Sequence, residues 1–192
     1  MTHCPTASAH LDLVHVLRGG IVESFHRGAF AVVDAQARVR HAVGDIDRPV
    51  FPRSAVKVLQ ALPLVASGAA DALGLTDAEL ALACASHTGE PRHVEAALSM
   101  LAKAGLDEGA LECGAHWPGG EAAARALARE DQQPGARHNN CSGKHAGFLT
   151  LTRHMRAGPE YVELDHPVQR AVRRAFEEAT GETAAGWGID GC

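Results

Sequence analysis

Leu13-Val14-His15-Val16-Leu17-Arg18, Gly19-Gly20, Ile21-Val22-Glu23-Ser24-Phe25-His26 is the stretch on which the fold turns. Two runs rich in branched and apolar side chains meet at a pair of glycines, and Arg27-Gly28 closes the second run. Glycine tolerates the positive φ that a two-residue hairpin joint demands, so the spacing predicts an antiparallel hairpin. A second hairpin is predicted from Ala29-Phe30-Ala31-Val32-Val33 and Arg38-Val39-Arg40-His41-Ala42-Val43, joined through Asp34-Ala35-Gln36-Ala37.

Beyond the hairpins the pattern becomes helical. Helices are predicted from about Ser54 to Ala66, from Thr76-Asp77 to Ala85, and from Pro91 to Ala104. Three more run from Gly120 to Arg129, from Gly143 to Arg156, and from His166 to Ala179, with Gly181 as a stop. Hairpins first and helices afterwards define an α+β class, with N-terminal antiparallel hairpins packed with helices. The stretches 114–120 and 132–140 read as ordered loops between helices.

Composition narrows the function classes. With 192 residues, 46% hydrophobic and 21% charged, the chain is neither disordered, nor collagen-like, nor a disulfide miniprotein. Its net charge of −5 and its scattered arginines argue against a nucleic-acid surface. No run of eighteen uncharged apolar residues occurs, and Met1-Thr2-His3-Cys4-Pro5 lacks the basic and apolar regions of a leader. A cytoplasmic protein with neither membrane nor nucleic-acid partners is expected. Five cysteines, at 4, 84, 113, 141 and 192, form no secreted framework and read as thiols, small buried residues or metal ligands.

Only Lys57, Lys103 and Lys144 stand against fifteen arginines among the 18 basic residues. Where a generic cation would serve, this sequence uses arginine, so a retained lysine has a reason to be lysine: once desolvated, it can lose its proton and act as a base. Lys103, in Met100-Leu101-Ala102-Lys103-Ala104-Gly105, instead reads as an ordinary cation in a helix's last turn.

Four constellations carry candidate chemistry. In Arg53-Ser54-Ala55-Val56-Lys57, a helix starting at Ser54 would place Lys57 one turn along the same face, within reach of the hydroxyl. Ser-x-x-Lys is the working unit of serine-lysine acyl transferases, although a serine cap followed by lysine is also an ordinary helix start. Ala85-Ser86-His87-Thr88-Gly89-Glu90 is a polar turn between apolar helices; it either presents a nucleophile or simply caps the next helix. In Asn139-Asn140-Cys141-Ser142-Gly143-Lys144-His145, the spacing puts Cys141, Lys144 and His145 on one helix face, as a metal site or an activated thiol. Gly188-Ile189-Asp190-Gly191-Cys192 adds a second thiol that would complement Cys141 on zinc, or a small buried residue at a strand end.

Taken in order, Arg18-Gly19-Gly20 with Val22-Glu23-Ser24, Phe51-Pro52-Arg53-Ser54-x-x-Lys57, Ser86-His87-x-Gly89-Glu90, Asn139-Asn140-Cys141-Ser142-Gly143-Lys144-His145 and Asp190-Gly191-Cys192 resemble the Rhizobium-type L-asparaginase family, the asparaginase II group. The resemblance covers nearly the whole chain. It implies hydrolysis of L-asparagine to L-aspartate and ammonia on a fold similar to serine β-lactamases and glutaminases. It makes Ser54 the nucleophile, Lys57 its base and Ser86 the serine of a second Ser-Lys pair. Arg53, His87, Glu90 and Asp190 become substrate-binding residues. Cys141, Lys144 and Cys192 become ligands of one zinc ion, with the lysine as a neutral amine.

Two departures are visible: Ala55 and Val58 stand where the family has Ser and Pro in Ser-Ser-x-Lys-Pro. Family sequences also continue past the Asp-Gly-Cys motif, so residues 1–192 are expected to be the N-terminal part of one asparaginase II domain, without the second pair's lysine. The rival readings are another Ser-Lys amidohydrolase, either a glutaminase or a penicillin-binding-type acylase, and an inactive zinc-binding fragment. The resemblance and the apolar helices both allow a homodimer.

Overall fold

The computed structural model describes residues 10–183 and 186–189. Its elements are those of an α+β chain: four strands in two antiparallel pairs, followed by seven α-helices. The chain divides into two compact units, Met1–Phe51 and Pro52–Cys192.

In the first unit β1 (Leu11–Arg18) pairs with β2 (Ile21–Gly28), and β3 (Phe30–Val33) with β4 (Val39–Val43). The joint of the first hairpin is the expected one, with Gly19 at φ 57° and Gly20 at φ 81°, angles that glycine adopts without the Cβ penalty. Asp12 and Arg27 face each other in register and form an ion pair of 2.7 Å. Asp34 organises the second joint, its carboxylate accepting from the N–H groups of Gln36 and Arg38. Every apolar side chain of β1 to β3 is exposed.

The second unit holds α1 (Lys57–Ala66), α2 (Ala69–Ala72), α3 (Asp77–Ala83), α4 (Pro91–Lys103), α5 (Glu121–Arg129), α6 (Ser142–Met155) and α7 (Pro167–Thr180). Most boundaries fall within two residues of expectation, because the caps were visible in the sequence. Thr76 and Glu79 close a capping box on α3. Pro91 opens α4, and Gly181 ends α7 at φ 71°. The short α2 was not foreseen; a four-residue helix carries no periodicity to read.

At the centre lies α6, buried without interruption from Ser142 to Thr152 and packed on α1, α3 and α4. Two of its polar side chains are satisfied locally, Thr150 and Thr152 donating to the carbonyls of Ala146 and Phe148 at 2.8 Å. Around it Leu64, Met100, Leu101, Phe148, Leu151 and Tyr161 form the core. Lys103 departs from the ordinary helix-end cation expected of it. It reaches back to the buried Glu79 at 2.6 Å and to the carbonyl of Gly74 at 2.8 Å.

Candidate active site

Regular α-helix begins at Lys57, not at Ser54. Arg53 sits at φ 54°, outside the right-handed region an α-helix requires, and Arg53–Val56 instead form a 3-10 turn closed by the Lys57 N–H donating to the Ser54 carbonyl. Residues three apart in such a turn lie over one another, which leaves Ser54 on the Lys57 side. The two side chains fare differently: Ser54 is exposed, whereas Lys57 is 2% exposed. Among the described residues the Lys57 amine makes no hydrogen bond to Ser54. It reaches Ser86 Oγ at 2.8 Å, the Ala85 carbonyl at 3.0 Å, the Cys141 thiol at 3.2 Å and the Asn140 carbonyl at 3.5 Å.

Three segments distant in sequence thus converge on one amine. Its own helix supplies Lys57, the chain leaving α3 supplies Ala85 and Ser86, and the turn entering α6 supplies Asn140 and Cys141. Close approach of the last two segments is built in by glycine. A Cβ on Gly143 would lie 2.6 Å from Leu82 Cγ and from the Leu82 carbonyl oxygen. Gly89, at φ 72°, leaves room for the carbonyl of His138 and the ring of Pro118.

His87, next to Ser86, is buried with both ring nitrogens engaged. Nδ1 accepts from the Gly89 N–H, so the proton sits on Nε2, which donates to Ser142 Oγ at 2.9 Å; Ser142 donates in turn to the Arg137 carbonyl. Burial, followed by the neighbouring His93, Lys57 and His116, lowers the His87 pKa to about 4, so the ring is neutral at neutral pH. Glu90 caps α4, and its carboxylate holds the Thr88 hydroxyl and Arg92. Arg53 is exposed beside Ser54.

The turn before α6 is tied to the 113–117 loop. Asn139 Nδ2 donates to the carbonyls of Cys113 and Gly114, and its Oδ1 accepts the Cys141 N–H. Asn140 N–H donates to His116 Nε2 at 3.0 Å. A family model described as L-asparaginase II matches residues 14–192, a span that includes every one of these groups. The chain belongs to the L-asparaginase II family. At the level of that family it is an amidohydrolase acting on a small-molecule substrate. The comparison with curated proteins gives no match.

In this asparaginase II member the three residues of the Cys141 motif meet different neighbours. The Cys141 thiol faces Lys57, while the His145 ring accepts the Tyr161 hydroxyl hydrogen at Nδ1, 2.8 Å away. That hydroxyl also accepts the Glu112 N–H, and burial pushes its pKa up. Lys144 is buried in a small cavity lined by Gln60, Ala61, Leu64, Ala83, Phe148 and Leu151, its amine 5.9 Å from the Phe148 ring centre. Among the described residues its amine has no hydrogen-bond or ionic partner, and no three His, Cys, Asp or Glu side chains gather as a metal site. Asp190 and Cys192 lie outside the described residues. No helix among the described residues is long and apolar enough to cross a membrane.

Sequence reasoning overlooked His116 and the individual parts of Asn139 and Asn140. The available signal was the loop Gly114-Ala115-His116-Trp117-Pro118-Gly119-Gly120, where bulky rings stand between glycines as they do in ordered loops.

Proposed function

We propose that the protein hydrolyses L-asparagine to L-aspartate and ammonia by acyl transfer to a serine, with Lys57 as the base. The observation carrying this reading is the buried Lys57 amine 2.8 Å from Ser86 Oγ. The carbonyls of Ala85 and Asn140 can only accept, so they engage two of the amine's hydrogens and leave its third position to Ser86 and Cys141. An amine oriented in this way is set to exchange a proton with a serine hydroxyl.

Ser54, exposed one 3-10 turn ahead of Lys57, is the nucleophile. Its Oγ bonds to the side-chain amide carbon while its proton passes to Lys57. That proton then goes to the departing nitrogen as the C–N bond breaks, and water hydrolyses the ester to release aspartate. Arg53 supplies a cation for the substrate's carboxylate. His87 and Glu90 contribute by holding the turn that carries Ser86. The 2.8 Å contact favours one alternative, in which Ser86 is itself the nucleophile.

Zinc fits the donor set so far as it is described. Cys141, whose thiol meets the Lys57 amine at 3.2 Å, and Lys144 are a buried thiol and a buried amine one turn apart at the start of α6, and soft sulfur with nitrogen suits this ion. Cys141, Lys144 and Cys192 would hold it, supplying charge stabilisation beside the amide, and Cys141→Ser should lower the zinc content.

Ammonia release from asparagine and from glutamine, measured for Ser54→Ala and Ser86→Ala, tests the mechanism. Ser54→Ala should lose activity on asparagine by more than about a thousandfold, and Ser86→Ala by about ten- to a hundredfold. The reverse order would make Ser86 the nucleophile. Full turnover in both variants would end the Ser-Lys reading, and preference for glutamine would make the protein a glutaminase.

A further inference from the structure

We propose that His116 is a positioning residue for the Lys57 amine, acting through the backbone of Asn140. Its bearing on catalysis rests on the reading of Lys57 as the base.

Two of the four groups around the amine, Ala85 O and Ser86 Oγ, follow directly from the end of α3. The other two, Asn140 O and Cys141 Sγ, stand on a turn more than eighty residues after Lys57. Where the amine points therefore depends on what fixes that turn. The Asn140 carbonyl is doubly used, accepting from Lys57 at 3.5 Å and from the His87 N–H at 3.2 Å. On the other side of the same Cα, the Asn140 N–H is held by His116 Nε2. A bond on the N–H restrains the backbone rotation that aims the carbonyl.

The His116 ring is itself locked. Nδ1 lies 2.8 Å from the Trp117 carbonyl, which can only accept, so Nδ1 carries the proton and Nε2 is left to accept the Asn140 N–H at 3.0 Å, with the Asn140 side-chain oxygen 3.2 Å from the same nitrogen. The loop carrying the ring is fastened next to Ser86 as well. The Gly120 N–H donates to the Thr88 carbonyl at 2.8 Å, and Pro118 lies against Gly89. His116 thus connects the turn bearing Ser86 to the turn bearing Asn140, with Lys57 between them. Asn139 fastens the same turn through Cys113 and Gly114, so loss of the His116 bond should re-aim Asn140 and leave the turn in place.

Three lysines make the test direct. A chain labelled with carbon-13 at the lysine ε position gives three signals, assigned with Lys57→Arg and Lys103→Arg. In His116→Ala the Lys57 signal should move while that of Lys103, paired with Glu79 elsewhere in the unit, stays and reports an intact fold. Asparagine kcat should fall about tenfold, the worth of one hydrogen bond, with KM within about twofold. His116→Gln, whose side-chain oxygen reaches the place of Nε2, should restore the Lys57 signal and most of kcat. An unmoved Lys57 signal in His116→Ala overturns the proposal, as does a glutamine variant no better than alanine. A rise in KM alone would instead make His116 a substrate contact and also overturns it. If the parent chain releases no ammonia, the asparaginase reading fails by itself, and the Lys57 signal still decides the positioning role.

Discussion

Glu79 is 3% exposed and nevertheless ionised. Burial raises its pKa, but the Lys103 amine, the Thr76 N–H and the hydroxyls of Ser99 and Thr76 outweigh burial and bring it down to about 2. A carboxylate whose folded pKa lies below its ordinary 4.5 stabilises the fold above that value, and the contribution is lost as pH falls towards 2. The shift corresponds to about 3 kcal/mol. Glu79→Gln should therefore lower stability at pH 7 by about 2 to 3 kcal/mol, since it also leaves Lys103 without its partner. It should flatten the pH dependence between 4.5 and 2. Urea unfolding across that range checks both, and an unchanged slope would show the pair to be inert. Lysine scarcity singled out Lys57, whose amine the structure buries against Ser86. It gave no warning about Lys103, whose partner lies 24 residues upstream across a helix pair.

Helix α6 brings its first turn against the end of α3, and glycines four residues apart on one face allow it. At Gly143 an added methyl would meet Leu82 backbone and side chain at 2.6 Å, with no flexible tip to move aside. Gly143→Ala should cost about 3 kcal/mol and lengthen the Lys57 to Ser86 contact, lowering turnover as well as stability. At Gly147 the same methyl meets Ala83 Cβ at 3.2 Å and Leu64 Cδ2 at 3.5 Å. There the gain of about 1 kcal/mol in helix propensity offsets a mild squeeze, so Gly147→Ala should stay within about 1 kcal/mol of the parent. Denaturation midpoints of the two variants separate these outcomes; equal losses would mean that the Gly143 contact does not limit packing. In the sequence both residues look alike, because helical periodicity states which face a residue occupies and not what stands opposite.

For the whole molecule, stability should be uneven. Two-stranded hairpins with exposed faces are marginal in water, whereas α6 is buried along most of its length. Hydrogen exchange of the intact chain should find the amides of β1 to β4 exchanging well before those of α6; equal protection would refute this division. The sequence by itself determined the α+β class, six of the helices and four strands, because turn glycines, caps and periodicity are local signals that nearby residues complete. Its motifs also determined the family. Tertiary structure decided which hydroxyl the Lys57 amine meets, Ser86 in place of Ser54, and that His116 holds Asn140. Those contacts join residues 29 and 24 positions apart. Only the packing of α1, α3 and α6 brings such residues within hydrogen-bond reach, and no spacing along the chain encodes that distance.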